Sequence, residues 1–405
     1  MPETLRALPA RRIIAFIADA AERWANADFA PRVRATRAII ERLGYTEPVV
    51  DYALDRLFSG ITRAALESTI TAELGSVEAL DEAMPRVNVP AAWARGVDRV
   101  TIVSSDTTIG VAIVPAVFAL CAKCDVVVKD RADALVAEFF ATLAQEHPAF
   151  AAAAQARVWR GGDDSEEADL LSSADVVVAF GRDDALRDIR AKCGVETRFV
   201  PFGHRASIGR LTATDVAALD DALAERIVRD ALLYDGEGCL SLHALFVETR
   251  WDGLLALAEP LAAACARVAT EFPATPLPPA REMAVASWRN VAAFRAAGGH
   301  GTVHRSGGVT LVLDVPPEEP PPLLPRVLPV FRVDGDAEIV TYVAEHRLPV
   351  QALGVVRPDA SGVALAERIG AVRVAPFGSL QDPPLGGHHG GAPRIADFVR
   401  WIDRE

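Results

Sequence analysis

Cys239 lies in the segment YDGEGCLSLHALFVE, where a helical pattern gives way to a turn bracketed by Gly236 and Gly238 and then to an apolar, strand-like run. A thiol in such a turn can be reached by a substrate. Gly238 clears a side chain from beside it, and adjacent backbone N–H groups can stabilise both a thiolate and an oxyanion, as thioester chemistry requires. Taken alone, an isolated cysteine is more often a small buried hydrophobe. Glu237 is the nearby carboxylate. It can relay a proton to a departing thiolate or nascent product, or simply stand solvated, and its charge raises the thiol pKa unless a cation or dipole opposes it.

The pairs Gly161-Gly162 and Phe180-Gly181 follow strand-like runs and open helical ones, the place where backbone approaches a pyrophosphate near a helix amino terminus. Neither is a full G-x-G-x-x-G, and each also reads as an ordinary turn. Cys121-Ala-Lys-Cys124 has no second pair at metal-ligand spacing, so it reads as packing, and no metal site is expected. His388 and His389 in GGHHGG point in different directions and read as a mobile or interface loop. His243 alternates within SLHALFVE and reads as a satisfied core or interface residue.

These groups need a scaffold. Residues 1–97 read as a helical region leading into a cofactor domain, with helices over 11–25, 31–43, 49–57 and 62–73 from apolar positions at three-and-four spacing. From residue 98 the runs RVTIVSS, DVVVKD, ARVWRG, ADVVVAFG and TRFVPFG alternate with helical patterns. That alternation predicts parallel strands with crossover helices, an α/β doubly wound sheet over 98–233 that binds dinucleotide at its strand ends. A helix over 217–233 precedes a second α/β domain, 234–375, holding the nucleophile: strand SLHALFVE, helix 252–269, a Pro-rich stretch, TLVLDV, LPVFRV, helix 336–345 and QALGVV. Residues 376–405 form a tail with a helix over 393–403, suited to oligomer or cofactor-domain contact.

At 405 residues the chain exceeds one core and suits two or three domains. No uncharged apolar run approaches a transmembrane length and no cleavable leader is visible, so a soluble, cytoplasmic protein is expected. A net charge of -13 argues against nucleic acid as a partner. Five scattered cysteines, an odd number, fit a reducing compartment.

The cysteine segment resembles the nucleophile motif of the aldehyde dehydrogenase superfamily, with Glu237 where Gln is usual. VFALCAKCDVVVKDRAD is similar to that family's helix, tight turn and strand ending in a cofactor-binding lysine, here Lys129. LPVFRVDGDAEIVTYVAEHRLPVQALGV resembles the segment after its Glu-Ile-Phe-Gly-Pro. The tail PFGSLQDPPLGGHHGGAPRIADFVRWIDRE is similar to the closing Gln-x-Pro-Pro-Leu and His-His-Asp-Gly pattern of the acyl-CoA reductase branch, which includes the bioluminescence fatty-acyl reductases. The resemblance covers nearly the whole chain and is looser before residue 98.

It implies that Cys239 attacks an acyl-CoA, that the acyl-enzyme is reduced with NADPH or NADH to an aldehyde, and that the chain forms a homo-oligomer. Arg131 beside Ala132, where NAD-preferring members carry an acid, leans toward NADPH; Asp130 pulls the other way. Aldehyde-oxidising relatives place a water-activating Glu where this chain has PFGHRAS, so reduction is favoured and His204 or Arg205 is free to meet a phosphate or the oxyanion. Two departures stand against this. Asp106 occupies the place of the oxyanion-binding Asn, so Thr107, Thr108 or backbone N–H groups must substitute, and Pro322 falls near the Glu that holds the nicotinamide ribose. Oxidation of a free aldehyde, or a non-catalytic nucleotide- or acyl-CoA-binding scaffold, are the competing readings.

Overall fold

In the computed structural model, which describes residues 4–105, 108–130, 134–159, 164–320 and 323–405, the Val-rich runs are the parallel strands predicted for them. The chain divides into two compact units: residues 1–43, 50–203 and 384–405, and residues 44–49 with 204–383.

The first unit opens on the helices Ala10–Ala25, Ala30–Leu43, Glu47–Gly60 and Arg63–Leu74, the four expected. Ala10–Ala25 buries Ile13, Ile14, Ile17, Ala21 and Trp24 along one stripe, the signature of an amphipathic helix. A short hairpin that the pattern did not reveal follows, β1 (Met84–Arg86) with β2 (Val89–Gly96). Then come β3 (Arg99–Val103), β4 (Asp125–Lys129), β5 (Ala154–Arg157), β6 (Val176–Phe180) and β7 (Arg198–Phe202), joined in the parallel order β5-β4-β3-β6-β7. The order reverses at β3, so β3 and β6 mark the switch point beyond whose carboxyl ends such sheets bind ligands.

The second unit is a seven-stranded sheet built from β8 (Ala206–Leu211), β9 (Leu242–Glu248), β10 (Thr302–Ser306), β11 (Val309–Asp314), β12 (Val327–Val333), β13 (Val350–Val355) and β14 (Arg373–Pro376), in the order β10-β11-β12-β9-β8-β13-β14. All its neighbours are parallel except β10 with β11. Interior strand β8 is buried along its whole length. Gly209 on β8 and Gly354 on β13 receive the ring of Phe377: a Cβ at either would stand 2.8 Å from a ring carbon. Helix Asp221–Leu232, capped by the Asp220 carboxylate accepting the Leu223 N–H at 2.7 Å, packs its Leu223, Ile227 and Val228 stripe in this unit.

Several expectations need correction. The boundary expected after residue 233 falls after 203, because β8 is a ladder partner of β9 and β13 and carries 204–233 with it. The tail does not stand apart: residues 376–383 belong to the second unit and 384–405 to the first. The helix expected over 393–403 is only a 3-10 turn, Ala396–Phe398; Val399–Arg404 forms β15, antiparallel to β2. The stretch read as Pro-rich holds a 19-residue helix, Pro279–Ala297, hidden because it buries only Ala292 and so lacks a core-facing period. The stretch Trp251–Glu271 is long and apolar enough, by length and composition alone, to cross a membrane. It is divided into helices Trp251–Ala256 and Ala258–Glu271, which bury Leu254, Leu261, Ala264, Cys265 and Val268.

Phe377→Ala should leave a void against the two glycines that neither can fill. The expected loss is about 3–5 kcal/mol of unfolding free energy, read from denaturant titration of the variant against wild type.

Candidate active site

Helix Asp221–Leu232 ends in an unusual reversal. Tyr234, Asp235 and Gly236 follow one another with φ of 57°, 55° and 77°. Two non-glycine residues in the left-handed region carry a backbone cost that neighbouring contacts must offset. Arg326 does so twice: its N–H donates to the Asp235 carbonyl at 2.8 Å, and its guanidinium forms a buried ion pair with the Asp235 carboxylate. Gly236 tolerates no side chain, since a Cβ would lie 2.8 Å from the Ala231 carbonyl oxygen.

The next residues form the turn that carries Cys239. Ser241 N–H donates to the Gly238 carbonyl at 2.9 Å, and Gly238 N–H returns a bond to Ser241 Oγ at 3.1 Å. Ser207 on β8 donates its hydroxyl to the Cys239 carbonyl at 2.8 Å. His243 is buried beneath; its Nδ1 accepts the Ser207 N–H at 3.2 Å and the ring also bonds Gly236 backbone. Burial first, then His204 nearby, lower the His243 pKa to about 4, so it works as a neutral strut. The residue set aside as structural is therefore part of the mounting of the turn.

Of the five cysteines only Cys239 is exposed. Its thiol opens to solvent from within enough protein mass that desolvation raises its pKa. Its own N–H, the Leu240 N–H and the Arg205 guanidinium act against that rise. These are the groups that support a thiolate. Cys121 and Cys124, the CxxC pair, are buried, and burial raises both thiols. Glu237, beside the thiol in sequence, does not stand unopposed: Arg281, from the first turn of the overlooked helix, forms an ion pair with it. Thus both acids flanking the turn, Asp235 and Glu237, meet an arginine, and neither arginine could be assigned from local sequence.

Asp230, buried on the preceding helix, accepts the Gly378 N–H at 2.6 Å and the Leu380 N–H at 3.1 Å. Desolvation dominates those bonds and pushes its carboxyl up to about 7.

The predicted cofactor residues lie in the first unit. Lys129 closes β4, and Phe180 and Gly181 close β6, on either side of β3. Lys129 Nζ bonds Glu167 at 2.8 Å, and Glu167 also accepts from Lys192 at 3.0 Å and Trp159 Nε1 at 2.8 Å. These three donors overcome desolvation and hold the Glu167 pKa down at about 2. Phe180 is stacked on Phe202 with ring centres 4.9 Å apart, and His389 from the tail stacks on Phe202 at 4.0 Å. The tail histidine expected in a mobile or interface loop is thus laid on aromatic rings at the ends of β6 and β7. Asp106, Thr107, Arg131, Gly161, Gly162 and Pro322 lie outside the described residues. Among the described residues no group of three or more His, Cys, Asp or Glu is placed to hold a metal.

The architecture is that of the aldehyde dehydrogenases. The chain is similar in structure to an oxidoreductase from Marinobacter aquaeolei (TM-score 0.73, 13% identity, 99% of this chain and 86% of that one). It is also similar to an NAD-dependent benzaldehyde dehydrogenase from Corynebacterium glutamicum (0.71, 15%, 99% and 87%) and to aldehyde dehydrogenase 21 from Physcomitrella patens (0.73, 13%, 98% and 86%). Within that fold, residues 5–401 match the model of the acyl-CoA reductase (LuxC) family, and the chain belongs to that family. It is 23% identical over 245 residues to the long-chain acyl-protein thioester reductase of Aliivibrio fischeri, a match spanning 58% of this chain but only 50% of that protein.

Two outcomes follow from the electrostatics. Arg205→Gln removes the cation opposing thiol desolvation, so Cys239 alkylation by iodoacetamide near neutral pH should slow by roughly two- to ten-fold and its pH profile should move to higher pH. Asp230, with a folded pKa above its unfolded one, contributes stability at low pH that is lost as pH rises through about 7. The thermal midpoint of wild type minus that of Asp230→Asn should therefore fall between pH 5 and pH 8, which differential scanning fluorimetry reads directly.

Proposed function

We propose that this chain is an acylating reductase that converts an acyl-CoA thioester to an aldehyde with NAD(P)H through a Cys239 acyl-enzyme. The observation that carries the reading is the exposed thiol on a rigid turn, with the N–H groups of Cys239 and Leu240 acting on its sulfur. The name of the Aliivibrio fischeri relative, an acyl-protein thioester reductase, supports an acyl thioester as the substrate class.

The Cys239 thiolate adds to the thioester carbonyl carbon, forming a new C–S bond while the carbonyl electrons move to oxygen. The same N–H pair that supports the thiolate receives this oxyanion. Collapse breaks the bond to coenzyme A, which leaves as a thiolate and takes a proton. What a bound reduced nicotinamide supplies is hydride for the acyl carbon. The chain's own part in that stage is release: the thiohemiacetal gives up the aldehyde and Cys239 returns as a thiolate to the same donors. Glu237, held by Arg281, is positioned as an ion-paired acid and not as a free base. The resemblance implies that PFGHRAS stands where aldehyde-oxidising relatives carry a water-activating Glu, which favours reduction over hydrolytic oxidation.

Lys129 fits a cofactor ribose or phosphate by its charge and its place at the end of β4, and its pairing with Glu167 leaves the Lys129, Lys192 and Glu167 group one net positive charge. The first unit's five-stranded sheet is taken as the dinucleotide-binding part and the second unit as the catalytic part. NADPH is the favoured cofactor through Arg131. Cytoplasmic location and homo-oligomeric assembly belong to the same proposal.

Intact-protein mass spectrometry after incubation with a panel of acyl-CoAs, without reduced cofactor, tests it. An acyl adduct is expected on wild type, none on Cys239→Ala, and discharge on adding NADPH or NADH. Absence of any adduct, with reduced cofactor still binding, would remove the acylating reading and leave aldehyde oxidation or a non-catalytic role.

A further inference from the structure

The nucleophile turn is braced from two directions. From the sheet, Ser207 on β8 holds the Cys239 carbonyl and His243 on β9 holds the Gly236 backbone, so both braces come from neighbouring ladder strands. The second direction is remote in sequence. Gln381 Nε2 donates to Ser241 Oγ at 2.6 Å and reaches the Asp230 carbonyl at 3.3 Å. Ser241 Oγ is also the acceptor of the Gly238 N–H. Gln381 therefore fixes the one hydroxyl that closes the turn across Cys239.

Its own position is over-determined. Asp230 accepts the N–H groups of Gly378 and Leu380, and the Arg373 guanidinium donates to the carbonyls of Ser379 at 2.7 Å and Leu380 at 2.6 Å. Phe377, immediately before, is seated on Gly209 and Gly354. Arg373, Asp230 and Phe377 hold the 377–381 segment so firmly that the Gln381 amide arrives at Ser241 with little freedom left to lose. The fit at the turn is close as well: a Cβ added to Gly238 would stand 3.2 Å from Ser241 Oγ and 3.4 Å from Gln381 Oε1. A segment anchored at three points on a sheet and a helix, ending in an amide aimed at the turn, is more bracing than loop closure alone requires.

We propose that Gln381 is a positioning residue for the Cys239 nucleophile: acting through Ser241, it holds the Gly238–Ser241 turn so that the N–H groups of Cys239 and Leu240 face the sulfur and the oxyanion. The proposal rests on Cys239 being the reactive thiol. It does not depend on which acyl donor the enzyme accepts. Without the amide, Ser241 Oγ keeps only the Gly238 N–H, and the turn is left to its own Ser241–Gly238 bonds and to Ser207, with more freedom at Cys239. A carboxylate in the same place cannot donate to the Asp230 carbonyl and can meet Ser241 only by accepting its O–H, so Gln381→Glu should lose the native brace although its size is that of the native side chain.

Two readouts separate this from a general packing role. The first is the pH profile of Cys239 alkylation by iodoacetamide, which reports the thiolate and requires no acyl substrate. The second is the rate of acyl-enzyme formation from acyl-CoA. In Gln381→Ala, Gln381→Glu and Ser241→Ala the alkylation profile should move to higher pH. Acylation should slow by about tenfold or more, while the binding constant for reduced cofactor stays within about twofold of wild type. Because one chain of bonds is involved, the Gln381→Ala, Ser241→Ala double variant should be no slower than the worse single variant, where independent effects would multiply. Wild-type alkylation profiles in all three single variants, or multiplying effects in the double variant, overturn the proposal. If wild type itself alkylates at Cys239 but forms no acyl adduct, the acylating function fails while the alkylation profiles still decide the role of Gln381. Should Gln381→Ala not fold, Gln381→Glu and Ser241→Ala decide it.

Discussion

A chain that leaves a helix and must enter a buried strand within a few residues can do so along few paths. Here it turns through three consecutive left-handed residues, Tyr234, Asp235 and Gly236. For tyrosine and aspartate that conformation is unfavourable on its own, so it persists because something outside the turn compels it. Arg326 is that agent, binding the Asp235 carbonyl with its backbone and the carboxylate with its side chain at a buried site. Were the reversal to relax, Cys239 would lose its orientation relative to β8, and the bonds from Ser207 and His243 would no longer meet their partners. The catalytic proposal therefore hangs on a buried ion pair about ninety residues apart in sequence.

The same turn gathers an electrostatic problem and answers it. Two acids within four residues of a thiol would by themselves suppress its ionisation. Each is matched by an arginine, Arg326 for Asp235 and Arg281 for Glu237, and Arg205 adds a positive field at the sulfur. What remains against ionisation is desolvation, which also strengthens every donor that a developing oxyanion would meet. On the proposed function, a thiol whose pKa is raised by burial gains most where negative charge appears on its partner as well as on itself.

The parallel strands and the position of Cys239 were legible because each is a local pattern, a Val-rich run or a Gly-bracketed turn. The family likeness added Lys129 and drew attention to the tail motif containing Gln381. What escaped was set by partners distant in the chain. β8 reads poorly as a strand because Ser207, Gly209 and Arg210 interrupt its apolar run, yet Gly209 is there to admit Phe377 from far downstream. Residues 399–404 carry a helix-compatible mixture of charges and become a strand only because β2 offers them a ladder. Pro279–Ala297 has almost no buried face to announce it, and so Arg281, its contribution to the Cys239 turn through Glu237, could not be foreseen.

The division of the chain carries a consequence for how it is made. The first unit is left at residue 203 and resumed at 384, and its small sheet is closed by β15 pairing with β2. Everything from 204 to 383 is thus threaded as an insertion between two parts of one body. During synthesis the residues of the inserted unit, apart from the short 44–49 segment made earlier, are all available before the host has its last strand. Strand β2 must wait with one edge unpaired while roughly three hundred residues are added, which at ordinary rates of elongation is tens of seconds. The exposed edge of a nascent chain is where mispairing between copies begins.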